Sequence, residues 1–334
     1  MHKHRKKYKN MHKLVDLMNI NCYYLIIKFK KRGNKMKKVS SKLLAVISIL
    51  VIAFAAIAFA GCTPKGSKTK IKVVEAALAE DPIAFGMAKT EAGKKTQEIV
   101  NTWIDKNKST INDLFEEYAK MTDEQANAKN IEYKTEADPA KKDKQFVVAT
   151  SADYPPYEYI ASGTQKILGV DIEIAAKIAK ELGKELVIQN MNFDAIIPAT
   201  AKKDSLIDIA MAGLTENEER REHLYFTKVY KVDKQVMIVN ANNKSFDGMT
   251  TDEINKKIKK LAEEKIGNYK LVIGAQEGTS SFGIAEDYAK DNKKIEASSY
   301  PNPSLAVQDM KNGRIDFVIV DALVAKVLMA KFNK

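Results

Sequence analysis

The chain has 334 residues and a formal charge of +12, but residues 1–61 hold 14 Lys/Arg against one Asp, leaving 41 Lys/Arg and 42 Asp/Glu for the remainder. The larger part is therefore near neutral, and nothing in it argues for nucleic acid as a partner. Neither the two cysteines nor the four histidines have metal-ligand spacing, and no phosphate-binding glycine loop is present, so no metal or cofactor is expected.

Met36-Lys37-Lys38 opens a basic stretch, Leu43 to Ala60 is an apolar run without charge, and Ala60-Gly61 ends it directly before Cys62. This is the pattern of a lipoprotein signal peptide over 36–61, with cleavage before Cys62 and lipid on its thiol. The competing reading is a membrane-spanning helix, since about 18 apolar residues lie near the lower limit for crossing. Residues 62–70 are a polar tether. Residues 1–35 fit neither a signal nor a domain. Lys31-Arg32-Gly33 is what a translated ribosome-binding sequence would encode, so an upstream extension outside the true start at Met36 is expected. The rival is a genuine basic cytoplasmic extension.

Ile71 to Glu75 and Asp81 to Ala88 read as extended strand, and the spacing predicts helices over 94–105 and 110–118. Ile99, Trp103 and Ile104 mark the apolar face of the first; Ile111, Leu114, Phe115 and Tyr118 mark that of the second. Residues 121–144, rich in Lys, Glu, Ala, Asp and Asn, read as a solvated linker. From Phe146 the pattern alternates: a strand over 146–150, a helix over 171–182 stopped by Gly183, a strand over 186–188, a short helix over 193–200 and a strand over 207–211. Strands over 271–274 and 317–320 and helices over 302–310 and 322–332 follow. Such alternation predicts parallel α/β layers, whose ligands bind beyond the carboxyl ends of strands.

Ala212-Gly213-Leu214-Thr215 with Arg220 places backbone N–H groups, a hydroxyl and a guanidinium close together. These are the groups that hold a small carboxylate, because the guanidinium fork grips both oxygens. Asp321 ends the apolar run from Phe317 and is placed to receive an ammonium, although an Asp before Ala322 is equally a helix cap. An acid gripped at one end and an amine at the other describe an α-amino acid.

These blocks, together with Ala149 to Tyr159, Gly169 to Glu173, Asn192 to Pro198, Phe226 to Tyr230, Gly278 to Ser281 and Gly313 to Asp316, resemble the polar amino-acid family of solute-binding proteins that serve ABC importers. The resemblance runs from Phe146 to about Lys334. It implies an α/β, two-lobed periplasmic-binding-protein fold of type II with the ligand cleft between lobes, and no enzyme activity. It also implies a monomeric receptor, extracytoplasmic and held to the membrane by lipid on Cys62, that delivers an amino acid to an importer's membrane subunits. By the same resemblance Arg220 is the carboxylate clamp, Ala212, Gly213 and Thr215 supply backbone groups and a hydroxyl, and Thr279 donates from the opposite lobe. Asp321 takes the ammonium, and Tyr154 and Phe193 are pocket walls. Ser151 stands where some relatives have an Asp for the ligand's side chain, a departure that argues against a cationic ligand, and Gln276 stands where some have a Lys.

Members of this family end in a return strand and two helices, which the segment over 71–118 resembles. A circular permutation is therefore expected, with lobe 1 over 82–236, including the linker, and lobe 2 over 71–81 and 237–334. A helical spacer unrelated to the lobes is the alternative. For function, the alternatives are a cyclohexadienyl-dehydratase-like enzyme of the same fold and an amino-acid sensor without transport.

Overall fold

The computed structural model describes residues 69–334; the expected extension over 1–35, the leader over 36–61 and Cys62 lie outside the described residues. Among the described residues no helix is long and apolar enough to cross a membrane. The elements run β1 (Ile71–Val73), β2 (Ala79–Ile83), β3 (Gly86–Ala88), α1 (Glu91–Lys106), α2 (Lys108–Lys120), α3 (Asp123–Ala128), β4 (Gln145–Thr150), β5 (Asp153–Tyr154), β6 (Glu158–Ile160), β7 (Ile167–Leu168) and α4 (Val170–Glu181). They continue with β8 (Glu185–Asn190), α5 (Phe193–Ala201), β9 (Ile209–Ala210), α6 (Glu218–His223), β10 (Leu224–Phe226), β11 (Lys231–Asn240), α7 (Thr251–Glu263), β12 (Leu271–Gln276), α8 (Ser280–Asp291), β13 (Ile295–Tyr300), α9 (Pro303–Lys311), β14 (Phe317–Asp321) and α10 (Ala322–Phe332).

One lobe is built on the sheet β10-β3-β9-β4-β8. β4 is buried at every position and runs parallel to β8, with Phe146 opposite Leu186 and Val148 opposite Ile188. A parallel pair needs a crossover, and α4 supplies it, burying Val170, Ile172, Ile174, Ala175 and Ile178. Its start requires Gly169: φ is +135°, and a Cβ there would sit 2.1 Å from the Tyr157 carbonyl oxygen. β3 enters this sheet antiparallel between β9 and β10, so residues near the start of the described chain form part of its interior. α1 and α2 follow. Thr90 caps α1 by accepting from Gly93 N at 3.0 Å, and the two helices bury Val100, Trp103, Ile104, Ile111, Leu114, Phe115 and Tyr118. Ile99, expected on the apolar face, is 36% exposed, and Val100 takes the inner position instead. The stretch expected as a solvated linker is ordered against this lobe. Ala126 is buried, Tyr133 Oη accepts from Ile167 N at 2.8 Å, and Lys134 bridges to Val187.

The second lobe is built on β1-β11-β14-β12-β13, with β2 also paired to β11. β12 is parallel to both β13 and β14. β14 is buried on both faces, as interior strands covered by helices are. Phe317 and Ile319 join one cluster with Phe246, Ile254 and Ile258. Val318 and Val320 join another with Val307, Met310, Val324 and Leu328. Asn333 clasps the backbone of β1, donating from Nδ2 to Ile71 O at 2.9 Å and accepting from Ile71 N at 2.8 Å.

Two strands connect the lobes. Thr227 N donates to Phe85 O at 2.9 Å and Tyr230 N to Ile83 O at 3.0 Å, while Thr227 Oγ1 accepts from Phe85 N at 3.0 Å. The boundaries expected at 82 and 236 therefore fall a few residues away, because ladder pairing keeps β2 in the second lobe through Ile83 and starts β11 there at Lys231. Tyr230 stacks on Phe85 with ring centroids 4.2 Å apart, and its hydroxyl donates to Asp171 Oδ1 at 2.6 Å. Burial pushes the Asp171 carboxyl up to about 7, against the donors Tyr230 and Gly213 N. Burial, then the charges of Asp171 and Asp153, hold Glu158 well above the usual range.

Two outcomes follow from this packing. Phe115 packs on Tyr157, centroids 5.4 Å apart, so Phe115→Ala is expected to cost about 3–5 kcal/mol in chemical denaturation; a loss under about 1 kcal/mol would detach α2 from the core. Asp171 has a folded pKa raised from 3.8 to about 7. Its contribution is full below the unfolded value and is lost as pH rises toward 7, at up to about 1.4 kcal/mol per pH unit. Asp171→Asn is expected to flatten the fall in stability between about pH 4 and pH 7, and an unchanged slope would refute it.

Candidate functional site

Within the described residues the expected site residues lie at or close after strand ends, or near helix starts. Ser151 follows β4, Tyr154 is in β5, and Phe193 begins α5. Ala212, Gly213 and Thr215 follow β9, Gln276 ends β12, Thr279 precedes α8, and Asp321 ends β14. Arg220 is on the short helix α6, which is started by the Asn217 side chain accepting from Arg220 N at 2.8 Å. That cap points the guanidinium inward, where the residue is 6% exposed.

Arg220 Nη1 donates to Thr215 O at 2.8 Å, and Nη2 donates to Gly278 O of the other lobe at 2.9 Å. Its Cζ lies 5.5 Å from the Phe193 ring centre, a cation–π contact. Burial lowers the guanidinium's pKa, while the charges of Asp81 and Asp321 oppose that shift. The lobes are in contact here: a Cβ on Gly278 would lie 3.3 Å from Asp194 Cα. Gly213 has φ +53°, the left-handed region that favours glycine, and its N–H donates to Asp171 Oδ2 at 3.0 Å. Ala212 is fully buried and contributes backbone.

Thr215 Oγ1 donates across the cleft to Ser280 Oγ at 2.9 Å. The Ser280 hydroxyl also accepts from Gln235 Nε2 at 3.0 Å and donates to Asp81 Oδ1 at 3.3 Å. Thr279 caps α8, with its hydroxyl donating to Gln276 O at 2.6 Å and accepting from Phe282 N at 3.2 Å. A second cross-lobe contact joins Gln276 Nε2 to Asp153 Oδ1 at 3.1 Å, beside Ser151 Oγ, which donates to the same oxygen at 3.4 Å. Burial pushes the Asp153 carboxyl up to about 6, against these two donors.

Asp321 occupies the N-cap position of α10 but makes no capping bond. Asp233 does that work from the neighbouring strand, accepting from Leu323 N at 3.2 Å. The Asp321 carboxyl is thereby released into the cleft, where Gln235 Nε2 donates to it and Tyr154 lies beside it. Burial, then the charges of Asp81 and Asp233, hold it well above the usual carboxylate range. Among the described residues no cation lies within ion-pair distance of Asp81 or Asp321, and no carboxylate within that distance of Arg220.

Sequence reasoning missed Asp81, Gln235, Ser280 and Asp153. Asp153 was visible in the Ala149 to Tyr159 block, and Ser280 follows Thr279 directly. Gln235 carried no signal, lying in a strand of mixed polarity, and Asp81 read only as part of a returning strand.

Residues 146–298 match the family model of bacterial extracellular solute-binding proteins, family 3. The chain is 27% identical over 185 residues to the arginine-binding extracellular protein ArtP of Bacillus subtilis (strain 168), covering 55% of this chain and 63% of that one. It is 30% identical over 184 residues to a probable histidine-binding protein of Campylobacter jejuni, covering 55% and 62%. The chain thus spans under two thirds of the length of these relatives. Among solved structures, an ancestral arginine-binding protein bound to arginine is 30% identical over 56% of this chain and 74% of that one, with a TM-score of 0.48. Residues 146–298 thus carry the pattern of family 3 of the bacterial extracellular solute-binding proteins, and the described residues fold as two lobes.

Proposed function

We propose that this protein captures an α-amino acid between its lobes and hands it to the membrane subunits of an ABC importer. One observation carries the reading: among the described residues buried Arg220 donates to carbonyl oxygens and has no carboxylate at ion-pair distance, while Asp321 is buried close by without a cation. Buried charges are ordinarily paired, and a zwitterion supplies both missing partners at once. Its carboxylate takes the guanidinium fork in place of Gly278 O, assisted by Thr215, while the Gly213 N–H stays committed to Asp171. Its ammonium is received by Asp321, its side chain extends between Tyr154 and Phe193, and Ser151, Asp153 and Gln276 stand at the side-chain end. A ligand touching both lobes favours the closed arrangement by its difference in affinity for the two states. The binding names carried by the relatives are consistent with an amino-acid cargo. Lipid on Cys62, an extracytoplasmic location and a monomeric state belong to the same proposal.

The chain order is read as a circular permutation of the family's usual order. Three features support it: β3 lies within the sheet of lobe 1, α1 and α2 pack on that lobe, and Asn333 is bonded to Ile71.

Thermal melts with each of the twenty proteinogenic amino acids test the receptor reading. An amino acid at about 100 times its dissociation constant adds about 2.7 kcal/mol and a clear rise in Tm. A cooperative melt that none of them shifts would sink it. Arg220→Ala is expected to weaken binding about 30-fold to several thousand-fold, as truncating one partner of a buried charge pair does; unchanged affinity would remove Arg220 from the site. For the permutation, a chain rejoined from Lys334 to Thr69 and reopened between residues 128 and 138 is expected to keep the same ligand and affinity. A chain that failed to melt cooperatively would count against it.

A further inference from the structure

We propose that Asp81 is a second acceptor for the ligand's α-ammonium, which is held between Asp81 and Asp321. The proposal rests on the amino-acid reading of the site. Asp81 lies on β2, outside the segment that matches the family model, and is 1% exposed. Its Oδ1 accepts one long bond from Ser280 Oγ at 3.3 Å, and among the described residues its Oδ2 has no hydrogen-bond partner.

Two neighbouring buried acids show what structural carboxylates look like in this fold. Asp171 accepts from Tyr230 Oη and Gly213 N. Asp233 accepts from Tyr157 Oη at 3.0 Å, Lys234 N at 2.8 Å and Leu323 N at 3.2 Å. Each has donors on both oxygens, and Asp81 does not. A buried carboxylate oxygen lacking a donor is unfavourable in itself. Glu158 inside lobe 1 also lacks donors, but Asp81 lies beside Asp321 and Arg220 where the lobes meet, so a donor from outside the fold can be shared there.

Topology says where that donor sits. β2 flanks β11 on one side, setting Asp81 opposite Asp233, and β14 flanks it on the other, setting Asp321 opposite Gln235. The carboxyls of Asp81 and Asp321 converge across the end of β11, close enough for Asp321 to feel the charge of Asp81. Arg220 feels the charge of both. In an α-amino acid the carboxylate and ammonium are separated by a single carbon, so the ammonium must lie close to the guanidinium, as this pair does. Gln276 Nε2 donates to both Asp153 Oδ1 and Pro301 O, leaving the ligand's side chain to that part of the cleft. An ammonium presents three N–H donors, enough to reach both carboxylates.

The test is titration calorimetry and thermal melting of the full chain, wild type and Asp81→Asn, against each of the twenty proteinogenic amino acids. Ligand-free Asp81→Asn is expected to melt at least as high as wild type. It is expected to bind the amino acid that shifts wild type about ten- to a hundredfold more weakly. The 2-hydroxy acid with the same side chain is expected to bind both proteins equally, since it lacks the ammonium. Undiminished affinity of Asp81→Asn, or an equal loss for amino and hydroxy ligands, overturns the assignment. A ligand-free Tm several degrees below wild type also overturns it, making the carboxylate a structural group. A wild type that melts cooperatively and responds to no amino acid overturns the amino-acid reading, and this assignment with it.

Discussion

Closing the two lobes buries a guanidinium against two carbonyl oxygens, and the rest of the site is arranged around that contact. A guanidinium removed from water needs acceptors for its N–H groups. Thr215 O comes from its own lobe and Gly278 O from the other, so Arg220 itself spans the closure. Carbonyl dipoles satisfy hydrogen bonds but do not neutralise charge. Asp81 and Asp321 feel this cation, yet neither reaches ion-pair distance of it. The strand ends that carry the carboxylates belong to one lobe and α6 to the other. An interface with separated, unneutralised charge is a weak clamp alone and a stronger one with a zwitterion across it.

The hinge and the cleft are joined by a short chain of hydrogen bonds. Tyr230 lies in the second crossing strand and stacks on Phe85 in the first. Its hydroxyl holds Asp171 at the start of α4, and Asp171 holds the N–H of Gly213. The turn that carries Thr215 is therefore fixed to the strands that cross between the lobes. Asp171 and Glu158 are destabilising when charged in so buried a place. The hydrogen bonds of Asp171 fix the turn more tightly than an apolar contact of the same size, because hydrogen bonds are directional.

The parallel layers were legible in the sequence because Phe146 to Thr150, Leu186 to Ile188 and Phe317 to Val320 are apolar runs buried on both faces, separated by helices with Gly183 and similar stops. Arg220 was legible by its spacing from Gly213 and Thr215. What was hidden was the division of labour among polar groups brought together by tertiary contact. Asp321 before Ala322 reads equally well as a cap, and only Asp233, 90 residues from Leu323 in the chain, shows that the cap is supplied elsewhere. Thr279 went the other way: its hydroxyl is committed to capping α8 and to Gln276 O. Asp81 lies between Glu80 and Pro82 in a strand whose first residues are exposed, and nothing local marks it as buried. Ile99 and Val100 show the limit of periodicity, since rotating α1 by one residue exchanges which of them faces the core.

Chain order also decides when the site can exist. Lobe 1 is nearly continuous, from β3 to β10, so its contacts close over moderate loops. The second lobe needs β1 and β2 from the start of the described chain against β11, and Asn333 bonds Ile71 across a separation of 262 residues. Loop-closure entropy grows only with the logarithm of such a separation, so the added cost in stability is small. In folding time it matters more, because distant contacts form late. Asp81 and Asp321 meet only when β2 and β14 have both joined β11. The paired carboxylates thus depend on contacts far apart in the chain, whereas lobe 1 closes over shorter separations.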